Sequence, residues 1–483
     1  MTATSPSPIL VLDFGSQLTQ LIARKLREQN FYSEVHRFDL SIEKIRELKP
    51  VGIILSGGPN SVYEAGSPIR DVKELLEIAP LLGICYGMQL LSYQLGGKVE
   101  RAQSREYGFN VIQWKKKLGQ IPLQQKVWMS HGDIVERPPQ VCEVIAQSES
   151  GHTAAFLGEK ILGLQFHPEV AHTEHGDALL RYFSETMCHA KPTWQAPQIV
   201  QQLQNEILKK VGSTDHVLVG LSGGVDSSVV ATLLTKTLGP ERVHCVFVNN
   251  GLLRKNEFAQ VMADYKAIGL NVKAVDASKI FLEALKGHSD PEIKRKAIGR
   301  VFIEVFEAAL DPKWPIKWLG QGTLYPDVIE SVSFSGGPSH KIKSHHNVGG
   351  LPEKMKLKLV EPVRELFKDE VRRIGLELGL PKHMIARHPF PGPGLAIRVM
   401  GEVNEKSLKI LREADAIFIQ KLKDKGLYDK IWQAAPHSGP TGAAGGRNST
   451  TKRPKNGIFE RRRLRFRQPL DSPWQPFQSG TSS

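Results

Sequence analysis

Residues 217–228 read Val217-Leu-Val-Gly-Leu-Ser222-Gly-Gly-Val-Asp226-Ser-Ser228. A short apolar run, typical of a buried strand, ends in a turn rich in serine and glycine and continues into sequence that favours a helix. The glycines let the backbone fold closely around an anion, which would then face N–H groups and hydroxyls at the positive end of the helix. The stretch therefore predicts a phosphate-binding loop, the alternative being an ordinary Gly-rich turn. Because it lacks the Gly-Lys-Ser/Thr ending of the usual P-loop, we expect it to hold a nucleotide differently.

A second motif lies upstream and surrounds Cys85. It reads Leu81-Leu-Gly83-Ile-Cys85-Tyr-Gly87-Met-Gln-Leu-Leu91, which has the strand–turn–helix form of a nucleophile elbow with cysteine in place of serine. We expect the two glycines to permit the sharp turn that presents the thiol. The dipole of the following helix then favours the thiolate. A single cysteine is more often a small core residue, so the interpretation needs partner residues.

The segment Gly163-Leu-Gln-Phe-His167-Pro-Glu169 supplies those partners. Alternate residues of an extended strand face the same way, so His167 and Glu169 are expected to project together. A carboxylate beside an imidazole fixes its tautomer and supports its cationic form. Cys85, His167 and Glu169 are therefore the predicted nucleophile, base and orienting carboxylate of a cysteine acyl transfer.

Residues 56–59 read Ser56-Gly-Gly58-Pro59 and follow another apolar run. The backbone amides of Gly58 and Tyr86 are predicted to form an oxyanion hole beside the thiol.

Several segments predict the surrounding secondary structure: strands at 9–12, 52–55, 81–84 and 242–248, helices at 19–29 and 199–211, and a linker at 191–197. Strands that alternate with helices indicate parallel sheets, with active sites at the carboxyl ends of the strands.

The composition excludes some classes of protein. No run of 18 apolar residues exists in the 483, so no membrane span is expected. The four cysteines (Cys85, Cys142, Cys188, Cys245) form no C-x-x-C pair, which argues against zinc and redox motifs and suits a reducing cytoplasm. The net charge is +14, and half of it comes from nine Arg/Lys against two acids beyond residue 434. The remainder is ordinary for a protein that handles phosphates, so nucleic acid is not the expected partner.

The two motif sets together resemble the glutamine-hydrolysing GMP synthase family over residues 8–434. Four more segments carry the resemblance: Ile293-Lys-Arg295-Lys-Ala-Ile-Gly-Arg300, Gly320-Gln-Gly322-Thr-Leu-Tyr-Pro-Asp327, Lys343-Ser-His-His-Asn-Val-Gly-Gly-Leu-Pro352 and Arg387-His-Pro-Phe-Pro391-Gly392-Pro-Gly-Leu-Ala-Ile-Arg398. The resemblance implies an α/β fold with two parallel-sheet domains. One is a flavodoxin-like class I glutamine amidotransferase domain at 8–190. The other is an ATP pyrophosphatase domain of the adenine nucleotide alpha hydrolase type at 212–388. A linker and leading helix at 191–211 join them, and an incomplete third α/β dimerisation domain begins at 389–434.

The resemblance also implies a carbon–nitrogen ligase that converts xanthosine monophosphate (XMP) to GMP through an adenylyl intermediate. The ammonia comes from glutamine, and ATP yields AMP and pyrophosphate. The implied glutamine contacts are Gln89, Ser130, His131, Gly132 and Asp133. The implied ATP and pyrophosphate contacts are Ser222, Gly223, Gly224, Val225, Asp226, Ser227, Ser228, Val248, Gly322 and Lys343. The implied XMP contacts are Arg295, Arg387, Pro391 and Gly392.

Mg²⁺ is expected with ATP, held through the pyrophosphate. Asp226 is either linked to that metal or stabilises the loop. No other metal site is predicted.

The chain departs from the family pattern at residues 435–483, which are rich in Arg, Pro, Ser and Gln. Such a segment predicts disorder, because it cannot bury enough apolar surface to offset the entropy lost on ordering. A one-base frame change near codon 434 explains the abrupt switch, and a basic nucleic-acid-binding tail is the alternative. The resemblance implies a homodimer. That homodimer is in question for this chain, because the segment replaces the C-terminal part of the family's dimerisation domain. Two functional alternatives stay open: an impaired remnant with only glutaminase and ATP-binding halves, or another glutamine-dependent ATP pyrophosphatase such as an NAD synthetase.

Overall fold

The computed structural model describes residues 6–331, 357–388, 390, 392–431, 434 and 436. The predicted contacts Lys343 and Pro391, and all of the 435–483 segment except residue 436, lie outside the described residues. The chain divides into two compact units between Gln202 and Leu203. The domain boundaries given above remain predictions.

The first unit contains a nine-stranded sheet with helices along its parallel half. Its strands are β1 (Ile9–Asp13), β2 (Ser33–Arg37), β3 (Gly52–Leu55), β4 (Leu81–Ile84), β5 (Lys98–Trp114), β6 (Gln124–Arg137), β7 (Glu143–Ser148), β8 (Thr153–Leu157) and β9 (Ile161–Leu164). Its helices are α1 (Thr19–Glu28), α2 (Ile42–Leu48), α3 (Val72–Leu76), α4 (Tyr86–Gln94) and α5 (Gly176–Arg181), followed by a π-helical turn (Tyr182–Met187).

The strand order is β2-β1-β3-β4-β9-β8-β7-β5-β6. The first five strands are parallel, in the order of the flavodoxin-like folds, which confirms the predicted class. The last four are antiparallel and extend the predicted parallel sheet by a half that the sequence patterns did not reveal. Burial explains the difference: β3 and β4 are buried along their whole length, whereas β6 alternates between buried and exposed residues. A strand with one polar face carries no continuous apolar run to find in the sequence.

The second unit contains a five-stranded parallel sheet. Its strands are β10 (His216–Leu221), β11 (Val243–Asn249), β12 (Val272–Asp276), β13 (Ile316–Gly320) and β14 (Lys358–Val360). Its helices are α6 (Ala196–Lys210, which begins in the first unit), α7 (Val225–Leu238), α8 (Glu257–Ala267), α9 (Ser278–Ala284), α10 (Pro291–Ala308), α11 (Tyr325–Ser331), α12 (Lys368–Glu377), α13 (Lys382–Ile385) and α14 (Glu405–Asp424). Short 3₁₀ turns lie at Pro240–Arg242, Gly394–Arg398 and Tyr428–Lys430.

The strand order β12-β11-β10-β13-β14 reverses direction at β10. In open parallel sheets, ligands bind outside the carboxyl ends of the strands at such a reversal, and Ser222 directly follows β10. The described residues beyond 389 pack into the same core: Leu395, Leu408 and Leu411 belong to the buried cluster that also contains Leu218 and Val246. Among the described residues, no helix is long and apolar enough to cross a membrane.

The predicted elements agree closely with the structure. The strands predicted at 52–55 and 81–84 have those bounds. The helix predicted at 19–29 ends one residue earlier, and the strand predicted at 242–248 is shifted by one residue. These segments are apolar enough, or regular enough in their spacing, for local pattern to determine them.

Candidate active sites

Cys85 occupies a strained turn between β4 and α4. Its φ of 51° and ψ of −106° lie outside the regions that non-glycine residues prefer, a conformation that costs about 1–3 kcal/mol and recurs at active sites. The glycines serve another purpose than the predicted one. A Cβ on Gly83 would lie 2.5 Å from the carbonyl of Gly87, and a Cβ on Gly87 would lie 2.3 Å from the carbonyl oxygen of Leu55. They permit close packing, while the cysteine itself makes the sharp turn.

Gly87→Ala is therefore expected to destabilise the first unit. The added methyl group meets backbone rather than a movable side chain, and overpacking of this kind costs about 1–3 kcal/mol. A thermal melt should show the loss as a reduced Tm. Gly299→Ala in α10, where the methyl group meets open space, is the control and should leave the Tm unchanged or higher. An unchanged Tm for Gly87→Ala would show that the elbow is loosely packed.

His167 and Glu169 form a buried pair, with the Nδ1 of His167 donating to the Oε1 of Glu169 over 2.7 Å. Burial lowers the pKa of His167, but the charge of Glu169 and a hydrogen bond with Cys85 outweigh it and raise this pKa to about 10. The expected extended strand was wrong, because β9 ends at Leu164 and the pair lies in the loop that follows. The hydroxyl of Thr173 donates to the carbonyl of His167 over 2.6 Å and fixes this loop.

The 56–59 loop lies against the start of α4. A Cβ on Gly57 would be 3.2 Å from the Cε1 of His167, and one on Gly58 would be 3.3 Å from the Cγ of Tyr86. Tyr86 is the first residue of its helix, so its N–H has no acceptor within that helix. The structure thus brings Gly58 and Tyr86 together beside the elbow, and their role as an oxyanion hole remains a prediction.

The predicted glutamine contacts surround the same elbow. The Sγ of Cys85 donates to the carbonyl of Ser130 over 3.6 Å, and the side-chain amide of Gln89 donates to the carbonyl of Asp133 over 3.0 Å. His131 is buried within β6, and Gly132 lies beside it on the same strand. Sequence reasoning missed Tyr63, whose hydroxyl donates to the Asp133 carboxylate over 2.9 Å. No motif marks that tyrosine, because it reaches the site from a loop 70 residues away in the sequence.

In the second unit, residues 217–228 form the expected strand–loop–helix, and we call residues 222–228 the phosphate loop. Gly223 adopts a φ of +73°, and Gly224 is the N-cap of α7, which begins at Val225. The hydroxyls of Ser222 and Ser227 lie 3.1 Å apart, and that of Ser228 donates to the carbonyl of Gly224 over 2.7 Å. The loop is therefore braced by its own side chains, and the N-terminal amides of a 14-residue helix stand beside it.

Asp226 pairs with a residue that the sequence did not reveal. The Nζ of Lys368, at the start of α12, lies 2.6 Å from Oδ1 and 2.5 Å from Oδ2 of Asp226. A Cβ on Gly322 would lie 3.3 Å from the Cβ of Asp226, so this predicted contact adjoins the loop. Val248 is buried near the end of β11. Lys368 is 142 residues from Asp226, a separation at which spacing carries no signal.

The predicted XMP contacts are placed differently from one another. The guanidinium of Arg387 donates to the carbonyl of Gly223 over 2.7 Å and forms an ion pair with Glu257. Burial and the nearby Arg254 lower the pKa of Arg387 to about 10. Arg295 is on α10 and pairs with Glu292 one turn away, and Gly392 is exposed. Only Arg387 is thus brought to the phosphate loop by a contact among the described residues.

Comparison with known proteins gives two family-model matches. Residues 10–187 match the class-I glutamine amidotransferase model, and residues 196–300 match the NAD synthase model. The chain is 66% identical over 425 residues to the GMP synthase [glutamine-hydrolyzing] of Bdellovibrio bacteriovorus, covering 88% of this chain and 84% of that protein. It is 51% identical to the enzyme of that name from Cytophaga hutchinsonii and 52% identical to that from Aquifex aeolicus, over the same shares of the chains. The NAD synthase match is confined to residues 196–300, whereas these relatives match 88% of the chain.

Proposed function

Because the chain belongs to the glutamine-hydrolysing GMP synthase family, we propose that Cys85, His167 and Glu169 hydrolyse glutamine and that the phosphate loop holds the pyrophosphate of ATP. Members of this family use glutamine and ATP to aminate XMP to GMP. The observation that carries the assignment is the pairing of a strained cysteine elbow with a buried His167–Glu169 pair. An anion-binding loop at the reversal point of a second sheet accompanies it.

Glutamine hydrolysis follows from the first site. The thiolate of Cys85 attacks the side-chain amide carbon, and the amides of Gly58 and Tyr86 receive the developing oxyanion. The protonated His167 gives its proton to the departing nitrogen, which leaves as ammonia. The ring then takes a proton from water, which hydrolyses the thioester to glutamate and restores the thiol. Glu169 holds the imidazole in the correct orientation throughout.

Amination of XMP is assigned to the second site. The C2 oxygen of XMP attacks the α-phosphorus of ATP and pyrophosphate leaves, so that a poor leaving group becomes part of AMP. Ammonia then attacks C2 and AMP departs, which gives GMP. We assign the pyrophosphate to the phosphate loop and the positive end of α7, and Arg387 braces the loop through Gly223.

We also propose that Mg²⁺ accompanies ATP. Among the described residues, no group of three His, Cys, Asp or Glu side chains is placed to hold a metal. Bound there, Mg²⁺ would neutralise charge on the pyrophosphate. A cytoplasmic location and a homodimer remain predictions. The molecular mass of the full chain in solution would test the dimer.

The deciding experiment is GMP formation by the 483-residue chain with ATP, Mg²⁺ and XMP, using glutamine or ammonia as the nitrogen source. GMP from both sources would support both sites and their coupling. Glutamine hydrolysis without GMP from either source would support the impaired remnant. Absence of glutamine hydrolysis would contradict the assignment of Cys85.

The pH dependence of glutamine hydrolysis tests the roles of His167 and Glu169. The raised pKa of His167 keeps its ring protonated below about pH 10, so hydrolysis by the unaltered chain should persist through pH 9. Glu169→Gln removes the charge that raises this pKa while the burial that lowers it remains. The imidazolium is then lost at lower pH, and the alkaline limb of kcat/KM should move down by at least about one pH unit. Identical limbs for the two proteins would contradict the assigned roles.

A further inference from the structure

A buried carboxylate stands behind the predicted glutamine pocket and has no part in the mechanism above. Glu106 lies on β5 directly opposite His131 on β6. Its Oε1 accepts from the hydroxyl of Ser148 over 2.9 Å and from the amide of Asn110 over 3.1 Å. Its Oε2 lies 3.1 Å from the Nε2 of His131, and the side chains of Glu106 and His131 are only 6% and 1% exposed.

These contacts keep Glu106 ionised. Burial opposes ionisation of Glu106, but His131 and Ser148 outweigh it and lower the carboxyl pKa to about 2. The carboxylate can therefore only accept hydrogen bonds. The Nδ1 of His131 lies 3.1 Å from the carbonyl of Asp133, which is also only an acceptor. The buried Glu106 carboxylate and the Asp133 carbonyl therefore lie on opposite sides of the His131 ring and confine it.

The His131 ring is connected to the elbow through its own strand. Residues 130 and 133 present carbonyls to Cys85 and Gln89, at 3.6 and 3.0 Å. The carbonyl of Asp133 accepts from His131 as well as from Gln89. The position of the His131 ring therefore fixes the backbone that forms one wall beside the nucleophile. Without the Glu106 carboxylate, the ring would lose the buried charged partner that lies 3.1 Å from its Nε2 and would be free to shift.

We propose that Glu106 is a positioning residue for glutamine, which it serves by holding His131 and thereby the carbonyls of Ser130 and Asp133. The inference rests on the proposed function of the Cys85 site. The side chain acts on the pocket that receives the substrate rather than on the reacting atoms. Loss of Glu106 should therefore weaken glutamine binding much more than it slows the hydrolysis of bound glutamine.

The variant Glu106→Gln keeps the shape of the side chain and an acceptor for Ser148 but removes the charge. We expect the KM for glutamine in glutamine hydrolysis to rise at least about tenfold, with kcat changed less than about threefold. The rate at which iodoacetamide alkylates Cys85 should stay within about twofold, because the thiol keeps its place. Glu100→Gln is the matched control, since Glu100 lies on the same strand with its side chain 43% exposed and paired with Lys98. It should leave KM unchanged.

A double variant tests whether Glu106 acts through His131. If it does, adding Glu106→Gln to His131→Gln should move KM no further, because the ring to be held is already gone. Additive effects would overturn the proposal. An unchanged KM in Glu106→Gln would also overturn it. So would a fall in kcat as large as the rise in KM together with a lower Tm, which would mark general unfolding. Glutamine hydrolysis by the unaltered chain is measured first, because its absence would refute the proposed function itself.

Discussion

Cys85→Ala is expected to abolish glutamine-dependent GMP formation while leaving ammonia-dependent formation intact. The thiol is the proposed nucleophile of the acyl transfer, and loss of a nucleophile from such a triad costs at least about 10⁴-fold in rate. The other three cysteines offer no substitute. Burial raises the thiol pKa to about 11 for Cys142 and to about 12 for Cys188 and Cys245, so almost none of these thiols is ionised near neutral pH.

The measurement compares initial rates of GMP formation with saturating glutamine and with saturating ammonium. Cys142→Ala is the control, since Cys142 is partly exposed and should tolerate alanine with both rates unchanged. Loss of both rates in Cys85→Ala would show that the residue supports the fold rather than the chemistry. Retention of the glutamine-dependent rate would place the nucleophile elsewhere.

The parts of these sites that the sequence revealed are short and continuous. The elbow around Cys85 and the phosphate loop each lie between a strand and a helix within a dozen residues, so local pattern determines both. No local pattern connects Cys85 with His167 and Glu169, and their association was predicted from the separate motifs occurring together. Even there, the extended strand expected at His167 proved to be a loop, since a proline follows the histidine and the ladder ends at Leu164.

The residues that escaped prediction act across long stretches of chain. Lys368 pairs with Asp226, from which it is separated by 142 residues. Glu106 lies opposite His131 in the β5–β6 register, and no turn motif in the sequence predicted that register. A lysine or glutamate in isolation is most often a solvated surface residue, so composition gives no reason to single either out. Only the fold converts them into partners of buried or functional groups. The antiparallel half of the first sheet was not predicted either, because its strands have one polar face and therefore no continuous apolar run in the sequence.

Lys368→Met is expected to reduce ATP-dependent GMP formation about 100-fold, because it leaves the negative charge of Asp226 unpaired beside the predicted pyrophosphate. In the structure, the ammonium of Lys368 contacts both oxygens of that carboxylate. A carboxylate in the first turn of α7 would otherwise repel the anion that the helix end is proposed to bind. The same ammonium fixes the phosphate loop. If its loss displaced the reacting groups by about 1 Å, that displacement alone could slow the reaction about 100-fold.

The readout is kcat/KM for ATP with ammonia as the nitrogen source, with glutamine hydrolysis followed in parallel. Lys382→Met, at an exposed lysine that begins α13, is the matched control and should behave like the unaltered chain. Because Lys368 and the Cys85 site belong to different units, the variant should lose far less glutaminase activity than ligase activity. Equal losses would indicate unfolding rather than damage to the phosphate loop.

The double variant Lys368→Met/Asp226→Asn separates the two roles left open for Asp226. If the carboxylate only supports the loop, removing both charges relieves the repulsion, and the double variant should recover at least about tenfold over Lys368→Met alone. If the carboxylate is linked to Mg²⁺, Asp226→Asn is damaging by itself and the double variant recovers nothing. The close two-oxygen contact with Lys368 favours the first outcome, since a carboxylate whose oxygens both face an ammonium is already neutralised without a metal.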